Sequence, residues 1–250
     1  MIQKPGSFDV RAFVVEYNQS DLFDKESLRC GAMKYEDITQ HPEILEYYKK
    51  GNAILDALGY TDHSVGHTTL VAKKATELLQ ALGYGEQEVE LVNIAGFLHD
   101  IGNVINRNHH AEYGAILANE ILKDTDISVH DRVQIVSAIA NHDESTGVAS
   151  DPITAALIIA DKTDVRSSRV RAKDPILFDV HDRVNYAVTD NRLECDPEEK
   201  TITLHLSIDE NICTMYEYFD IFLARMTMCS RAARILDTKF SLRVNGQKVL

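Results

Sequence analysis

A predicted helix ends in Gly96-Phe97-Leu98-His99-Asp100-Ile101-Gly102, where a histidine and a carboxylate stand side by side after an apolar segment. Imidazole nitrogen and carboxylate oxygen together suit Fe, Mn, Zn and similar divalent ions. A His-Asp pair is common by chance, so its meaning depends on further metal-ligand residues at suitable places. Such residues lie on both sides of the pair.

The chain before residue 180 has the pattern of several short helices. Apolar residues recur at the spacing of a helix face, and Gly59 and Gly83 stand where two helices end. The predicted helices are 44–58, 64–82, 87–101, 113–122, 131–140 and 153–165. No Gly/Ser-rich linker interrupts them, so the pattern predicts one helical domain over residues 1–180.

The pattern changes after residue 180. Residues 201–208 alternate strictly between apolar and polar side chains, which predicts a half-buried strand. Residues 209–236 have the spacing of a long helix. Two further segments predict partner strands: Val184, Tyr186 and Val188, and Phe240, Leu242 and Val244. We therefore expect a mainly α fold in which residues 181–250 form a small α+β appendage, not clearly a separate domain, packed on the helical body.

Composition limits the function. The formal net charge is −13, which argues against a general nucleic-acid or anionic-membrane surface. The apolar stretches are too short to span a membrane, and the first residues lack the apolar core of a signal peptide. Four cysteines without a CxxC pair are typical of reduced thiols. These features predict a cytoplasmic protein without nucleic-acid or membrane partners.

Metal-ligand residues recur along the helical part. They are, in order, His67, His99, Asp100, His110, His142 and Asp161. Each stands near the end of a predicted helix or on a helix face, so several helices can converge on one point. Helical bundles build metal sites in this way, and coordination removes the cost of several kcal/mol that a buried, unpaired carboxylate carries.

This order of residues resembles the HD-domain superfamily of metal-dependent phosphohydrolases. Three contexts carry the resemblance: HSVGHTTLVA at 63–72, LHDIG at 98–102 and IIADKTD at 158–164. Two more resemble the two-metal branch: HAEYGA at 110–115 and IANHDE at 139–144, with Asp143 in place of a second histidine. The resemblance covers residues 63–169.

The resemblance implies an HD-domain helical bundle, followed here by a small C-terminal β-sheet and a long helix. It also implies one or two divalent transition-metal ions (Fe, Mn, Zn, Co or Ni, with Mg as a further candidate) on the six residues named above. Asp100 is expected to bridge the two ions, and Asp100 and His99 are the expected catalytic residues. His109 is an alternative to its neighbour His110, although the spacing to Gly114 favours His110.

The implied activity is hydrolysis of a small phosphoester, a phosphomonoester or a nucleotide, by attack of a metal-bound hydroxide. Arg166, Arg169 and Lys162 are expected to bind the substrate phosphate, since a guanidinium donates a planar fork that fits phosphate oxygens. Two departures disfavour cyclic-di-GMP hydrolysis. The chain has Ser145-Thr146-Gly147-Val148-Ala149 where that branch has Gly-Tyr-Pro, and it has Asn103 where that branch has a lysine.

Two alternatives remain open at this point. The superfamily includes di-iron oxygenases, which would use the same ligands. An HD fold can also serve as a non-enzymatic regulatory module, but such modules are usually marked by lost ligands, and here every position is filled. The length of the predicted helix 209–236 leaves room for a homodimer interface.

Overall fold

Seven α-helices follow one another in the first part of the computed structural model, which describes residues 34–171 and 178–250. They are α1 Tyr35–Thr39, α2 Pro42–Ala57, α3 Val65–Ala81, α4 Glu86–Leu98, α5 His110–Leu122, α6 Val129–Ala140 and α7 Pro152–Lys162. A 3-10 turn, Ile101–Val104, follows α4. The six predicted helices are confirmed as α2 to α7, whereas α1 was not predicted.

Short polar side chains cap the starts of α3, α6 and α7. Ser64 accepts a hydrogen bond from the backbone N–H of Gly66 at the start of α3. Asp151 accepts one from the N–H of Thr154 at the start of α7, where Pro152 occupies the first turn. Such caps satisfy backbone donors that the helix itself leaves free. They also fix the position of each later residue along its helix.

Helix α7 lies at the centre of the packing. Every residue from Ile153 to Ala160 is buried, and the helix contacts α3, α4 and α6. Helices α3 and α4 approach each other closely at Gly96. A Cβ atom at that position would lie 2.6 Å from the Cα of Ala72, so only glycine allows this spacing. The close approach brings the start of α3 beside the end of α4.

A four-stranded sheet and a long helix form the C-terminal part. The strands are β1 Val188–Asp196, β2 Thr201–Ile208, β3 Lys239–Val244 and β4 Gln247–Lys248, in that order across the sheet. Strands β2 and β3 are parallel, and the other two pairs are antiparallel. Helix α9, Met215–Ile235, forms the crossover from β2 to β3 and packs against α7. The predicted strand 201–208, the small sheet and the long helix are confirmed.

The partner strand that was predicted around Val184 and Tyr186 is wrong. These residues lie in helix α8, Val180–Ala187. Asp179 caps this helix by accepting from the N–H of Asp182, and Val184 and Ala187 are buried three residues apart, as on one helix face. The strand begins at Val188, the last of the three apolar residues, and runs to Asp196. Three alternating apolar residues are too short a pattern to indicate a strand when a helix-capping residue such as Asp179 precedes them.

The division into a helical part over residues 1–180 and an appendage over 181–250 stays a prediction. The described residues fall within one compact unit, Ala32–Leu250. In the described part of the chain, no helix has the length and apolar character needed to cross a bilayer. The cytoplasmic location and the homodimer remain predictions, and Cys30 lies outside the described residues.

Replacing Gly96 by alanine should lower the free energy of unfolding by about 1–3 kcal/mol, the usual cost of overpacking, because the new methyl group would collide with the α3 backbone. Gly66→Ala is the matched control. It lies exposed on α3, and its new Cβ would meet only the Ser64 Oγ at 3.5 Å. Urea unfolding of metal-free protein should show the control unchanged or stabilised by up to about 1 kcal/mol. Equal stability of the two variants would contradict the close approach of α3 and α4.

Candidate metal centre

The six predicted ligands lie together where several helices begin or end. His67 lies in the first turn of α3, His99 and Asp100 directly follow α4, and His110 is the first residue of α5. His142 follows α6, and Asp161 lies in the last turn of α7. All are buried except Asp161, which is partly buried. The fold therefore collects these side chains in its interior, whereas their role as ligands stays a prediction.

Four side chains form the first group. His67 Nε2 lies 3.3 Å from Asp161 Oδ1 and 3.6 Å from Asp100 Oδ2. His99 Nε2 lies 3.4 Å from Asp100 Oδ2 and 3.7 Å from Asp161 Oδ1. The ligand atoms of His67, His99 and Asp161 all lie within 4.8 Å of one another. This arrangement of nitrogen and oxygen atoms could hold one divalent ion.

The other oxygen of Asp100 faces a second group. Asp100 Oδ1 lies 3.5 Å from His110 Nε2, which in turn lies 3.2 Å from His142 Nε2. His142 also lies close to His99, with 4.9 Å between the ring centroids, so it borders both groups. The two oxygens of Asp100 thus point to different histidines, as a carboxylate between two ions would.

The histidines of the centre have defined tautomers. Three of them donate from Nδ1 to backbone carbonyl oxygens: His99 to Gly96 at 2.8 Å, His110 to Arg107 at 3.0 Å and His142 to Ile139 at 2.6 Å. A carbonyl oxygen can only accept, so the proton is on Nδ1 and the Nε2 lone pair is free. Burial, and then the neighbouring His99 and His110, hold the pKa of His142 well below its usual range. Neutral imidazoles are the form that binds metals.

Buried polar atoms in the centre lack partners. His67 Nε2, His99 Nε2 and Asp100 Oδ2 have no hydrogen-bond partner within the described part of the chain. Most buried polar atoms in folded proteins are paired, and leaving one unpaired is costly. Asp100 Oδ2 lies 3.6 Å from His67 Nε2 and 3.4 Å from His99 Nε2. Their chemistry and their direction fit a divalent cation.

His109 does not reach the centre. Its side chain is 67% exposed, and it precedes α5 with a positive φ of 63°. Its neighbour His110 is buried and faces Asp100. The geometry therefore favours His110 over His109 as the ligand.

A cavity of about 360 Å³ opens beside Asp100, His110 and Asp161. Much of its wall comes from outside the segment that carries the ligands. The loop after α2 contributes residues 58–61, α8 and the residue before it contribute Asp179, His181, Asp182 and Asn185, and α9 contributes Arg225. The shape of the cavity thus depends on elements before and after the metal-ligand segment.

Two of the predicted substrate-binding residues, Lys162 and Arg166, form ion pairs with carboxylates. Lys162 lines the cavity, but its Nζ lies 2.8 Å from Asp161 Oδ2 and 2.7 Å from Glu144 Oε2. Arg166 pairs with Asp164 at 2.8 Å and is not among the residues that line the cavity. Their contact with substrate stays a prediction.

Arg169 is buried and lines the cavity. It donates from Nε to the backbone oxygen of Asp62 and from Nη1 to that of Asp164, both at 3.0 Å. The Asp62 N–H donates back to the Arg169 oxygen at 2.8 Å. Arg169 therefore joins the loop after α2 to the end of α7, in addition to facing the cavity.

Several residues at the site lie outside the predicted ligand set and the predicted substrate-binding set. Arg107 lines the cavity, with Nη1 3.2 Å from Asn103 Oδ1 and 3.7 Å from Asp100 Oδ1. His63 also lines it and donates from Nδ1 to the Thr61 oxygen at 2.7 Å. Proximity to the His-Asp pair and to His67 is the only sequence signal for these two residues. Arg225 has no such signal, because its partner Glu144 is 81 positions away.

Comparison with known proteins finds an HD domain within this chain. Residues 64–169 match the family model of the HD domain. An uncharacterized protein from Methanocaldococcus jannaschii is 27% identical over 175 residues, which cover 60% of this chain and 66% of that protein. The crystal structure of a predicted HD superfamily hydrolase from an uncultured Thermotogales bacterium is 24% identical with a TM-score of 0.40. That match covers 51% of this chain and 69% of the other.

Asp100→Asn should remove the stabilisation that a divalent ion provides, because it replaces the central charged ligand by a neutral side chain of the same shape. Chelator-treated wild-type protein should gain about 2.7 kcal/mol in unfolding free energy when Mn²⁺ is present at 100 times its dissociation constant. Asp190→Asn, at an exposed site on β1, is the control and should gain as much as wild type. Urea unfolding with and without Mn²⁺ measures both. An undiminished gain in Asp100→Asn would contradict the assignment of Asp100.

Proposed function

We propose that this chain, which contains an HD domain over residues 64–169, is a metal-dependent hydrolase of a small phosphoester, either a phosphomonoester or a nucleotide. One observation carries the proposal. Asp100 has a buried oxygen without a hydrogen-bond partner among the described residues, 3.6 Å from His67 Nε2 and 3.4 Å from His99 Nε2, and it lies at the wall of a cavity that arginine and lysine side chains also line. Ligands for cations and donors for phosphate oxygens therefore face the same space.

The residues that would hold the ions follow from the two groups around Asp100. His67, His99 and Asp161 would hold one ion, His110 and His142 a second, and Asp100 would contact both. Divalent ions supply Lewis acidity, which lowers the pKa of bound water and offsets negative charge on phosphate oxygens. Fe, Mn, Zn, Co and Ni all accept this donor set.

Asn103 orients the central carboxylate. Its side-chain amide donates to Asp100 Oδ1 at 2.8 Å and to the Asp100 backbone oxygen at 2.9 Å. The amide oxygen of Asn103 accepts from Arg107 at 3.2 Å. Asn103 thus forms hydrogen bonds with Asp100 through its amide nitrogen and with Arg107, which lines the cavity, through its amide oxygen.

Arg107 is the residue best placed to bind the substrate phosphate. Its side chain is 22% exposed and lines the cavity together with Asp100 and His110. Its guanidinium lies over the Tyr60 ring, 5.8 Å from the centroid, which supports it from the other side. Several of its N–H groups remain available for phosphate oxygens, to which a guanidinium donates in a planar fork. Arg169 and Lys162 add positive charge to the same cavity.

The size of the cavity supports a small substrate. A volume of about 360 Å³ lies at the lower end of the usual range for small-molecule sites. A phosphomonoester or a mononucleotide fits this range.

An HD-domain di-iron oxygenase is the second candidate. The centre combines four imidazoles with two carboxylates, a donor set that also suits iron. Oxygen consumption without phosphate release by the iron-loaded protein would favour this candidate.

Wild-type protein with added Mn²⁺ should release phosphate from p-nitrophenyl phosphate or from nucleoside monophosphates, and Asp100→Ala should reduce the rate to background.

Arg107→Met should raise KM about 10-fold or more, because a hydrogen bond to a charged group is worth about 1.5–3 kcal/mol. Arg192→Met, on the exposed part of β1, is the control and should leave KM unchanged. Unchanged turnover in Asp100→Ala would refute the proposal.

A further inference from the structure

We propose that Asp164 is a positioning residue that orients His67 for metal binding, and that Arg166 acts by holding Asp164 rather than by binding substrate. This inference rests on the proposed function, because it assumes that His67 binds an ion. Asp164 is the last residue of the segment IIADKTD, but it is not one of the six predicted ligands.

The contact between His67 and Asp164 differs from those of the other histidines in the centre. His67 Nδ1 donates to Asp164 Oδ2 at 2.7 Å, and both side chains are fully buried. His99, His110 and His142 donate to backbone carbonyls instead. All four contacts leave Nε2 free to face the centre. Only the carboxylate adds a negative charge, which makes the opposite nitrogen a stronger ligand.

The negative charge of Asp164 is retained because cations surround it. Arg166 donates from Nε to Asp164 Oδ1 at 2.8 Å and from Nη2 to Oδ2 at 3.3 Å. Lys74 Nζ lies 3.7 Å and Arg169 Nη1 3.9 Å from the carboxylate. A buried carboxylate needs such partners to offset its desolvation. Asp164 therefore presents an ionised oxygen to His67.

All three nitrogens of the Arg166 guanidinium already donate hydrogen bonds within the protein. Two of its nitrogens contact Asp164, and Nη1 donates to Ser168 Oγ at 2.8 Å. It is also absent from the residues that line the cavity. Its contacts thus fix Asp164 and the turn that follows α7.

The position of Asp164 joins two parts of the centre. It lies three residues after the ligand Asp161, just beyond the end of α7, and it contacts a ligand on α3. One short segment therefore supplies one ligand directly and orients another. A shift of α3 against α7 would disturb both.

Titration of metal-free, full-length protein with Mn²⁺ by calorimetry tests the proposal. Asp164→Asn keeps the shape of the side chain but removes its charge, and it should weaken the Mn²⁺ site that includes His67 10- to 100-fold, the usual effect of losing such a partner. Arg166→Met should weaken the same site by less, and at saturating Mn²⁺ its KM for the phosphoester should equal that of wild type.

Asp151→Ala is the control for a merely structural effect. It removes the cap of α7, so it should lower the melting temperature while leaving the Mn²⁺ dissociation constant unchanged. If Asp164→Asn does not fold, Arg166→Met and Arg166→Lys test the same contact from a side chain that is 30% exposed. Lysine keeps the charge of arginine but lacks its planar fork. The Mn²⁺ dissociation constant of Arg166→Lys should therefore lie between those of wild type and Arg166→Met.

The proposal would be overturned if Asp164→Asn bound Mn²⁺ as tightly as wild type does. If Asp164→Asn does not fold, wild-type Mn²⁺ affinity in both Arg166 variants would overturn it. A raised KM with unchanged Mn²⁺ affinity in Arg166→Met would restore Arg166 as a substrate residue. Failure of wild-type protein to bind any divalent ion would instead refute the proposed function.

Discussion

The buried carboxylate of Asp100 is the constraint on which the rest of the centre depends. It is 3% exposed, and one of its oxygens has no hydrogen-bond partner among the described residues. A carboxylate in this position is costly unless cations or donors surround it. His67 of α3, His99 directly after α4 and His110 of α5 lie within 3.6 Å of its oxygens, and the amide of Asn103 donates a hydrogen bond to it. The packing of the helices thus serves to bring these groups together.

Close backbone contact makes this convergence possible. Gly102 follows the His-Asp pair by two residues, and a Cβ atom there would lie 2.0 Å from the His110 oxygen and 2.4 Å from the Gly114 nitrogen. The start of α5 therefore rests directly on the backbone of Gly102, which puts His110 within 3.5 Å of Asp100. The glycine of the motif has a steric role that is separate from the ligand chemistry of its neighbours.

The cavity is built only in part by the segment that supplies the predicted ligands. Those residues lie between His67 and Asp161, whereas the loop after α2, α8 and α9 form much of the cavity wall. The arginines after α7 connect these parts, since Arg169 and Arg171 donate to backbone oxygens of Asp62 and Tyr60. Elements before and after the residues 67–161 therefore help to shape the cavity beside Asp100.

Sequence patterns predicted helices α2 to α7 and α9, strand β2 and the residues that gather around Asp100, because periodicity, caps and motif spacing are local properties of the chain. The local pattern failed at Val184 and Tyr186, where a short alternation competed with the Asp179 cap. The packing of the elements decides which arginine and lysine side chains face the cavity and which pair with carboxylates instead. Arg166 turns to Asp164, Arg225 meets Glu144 across 81 positions, and Asp164 meets His67 across 97. Such pairings depend on how helices pack, and packing brings together residues whose separation in sequence carries no signal.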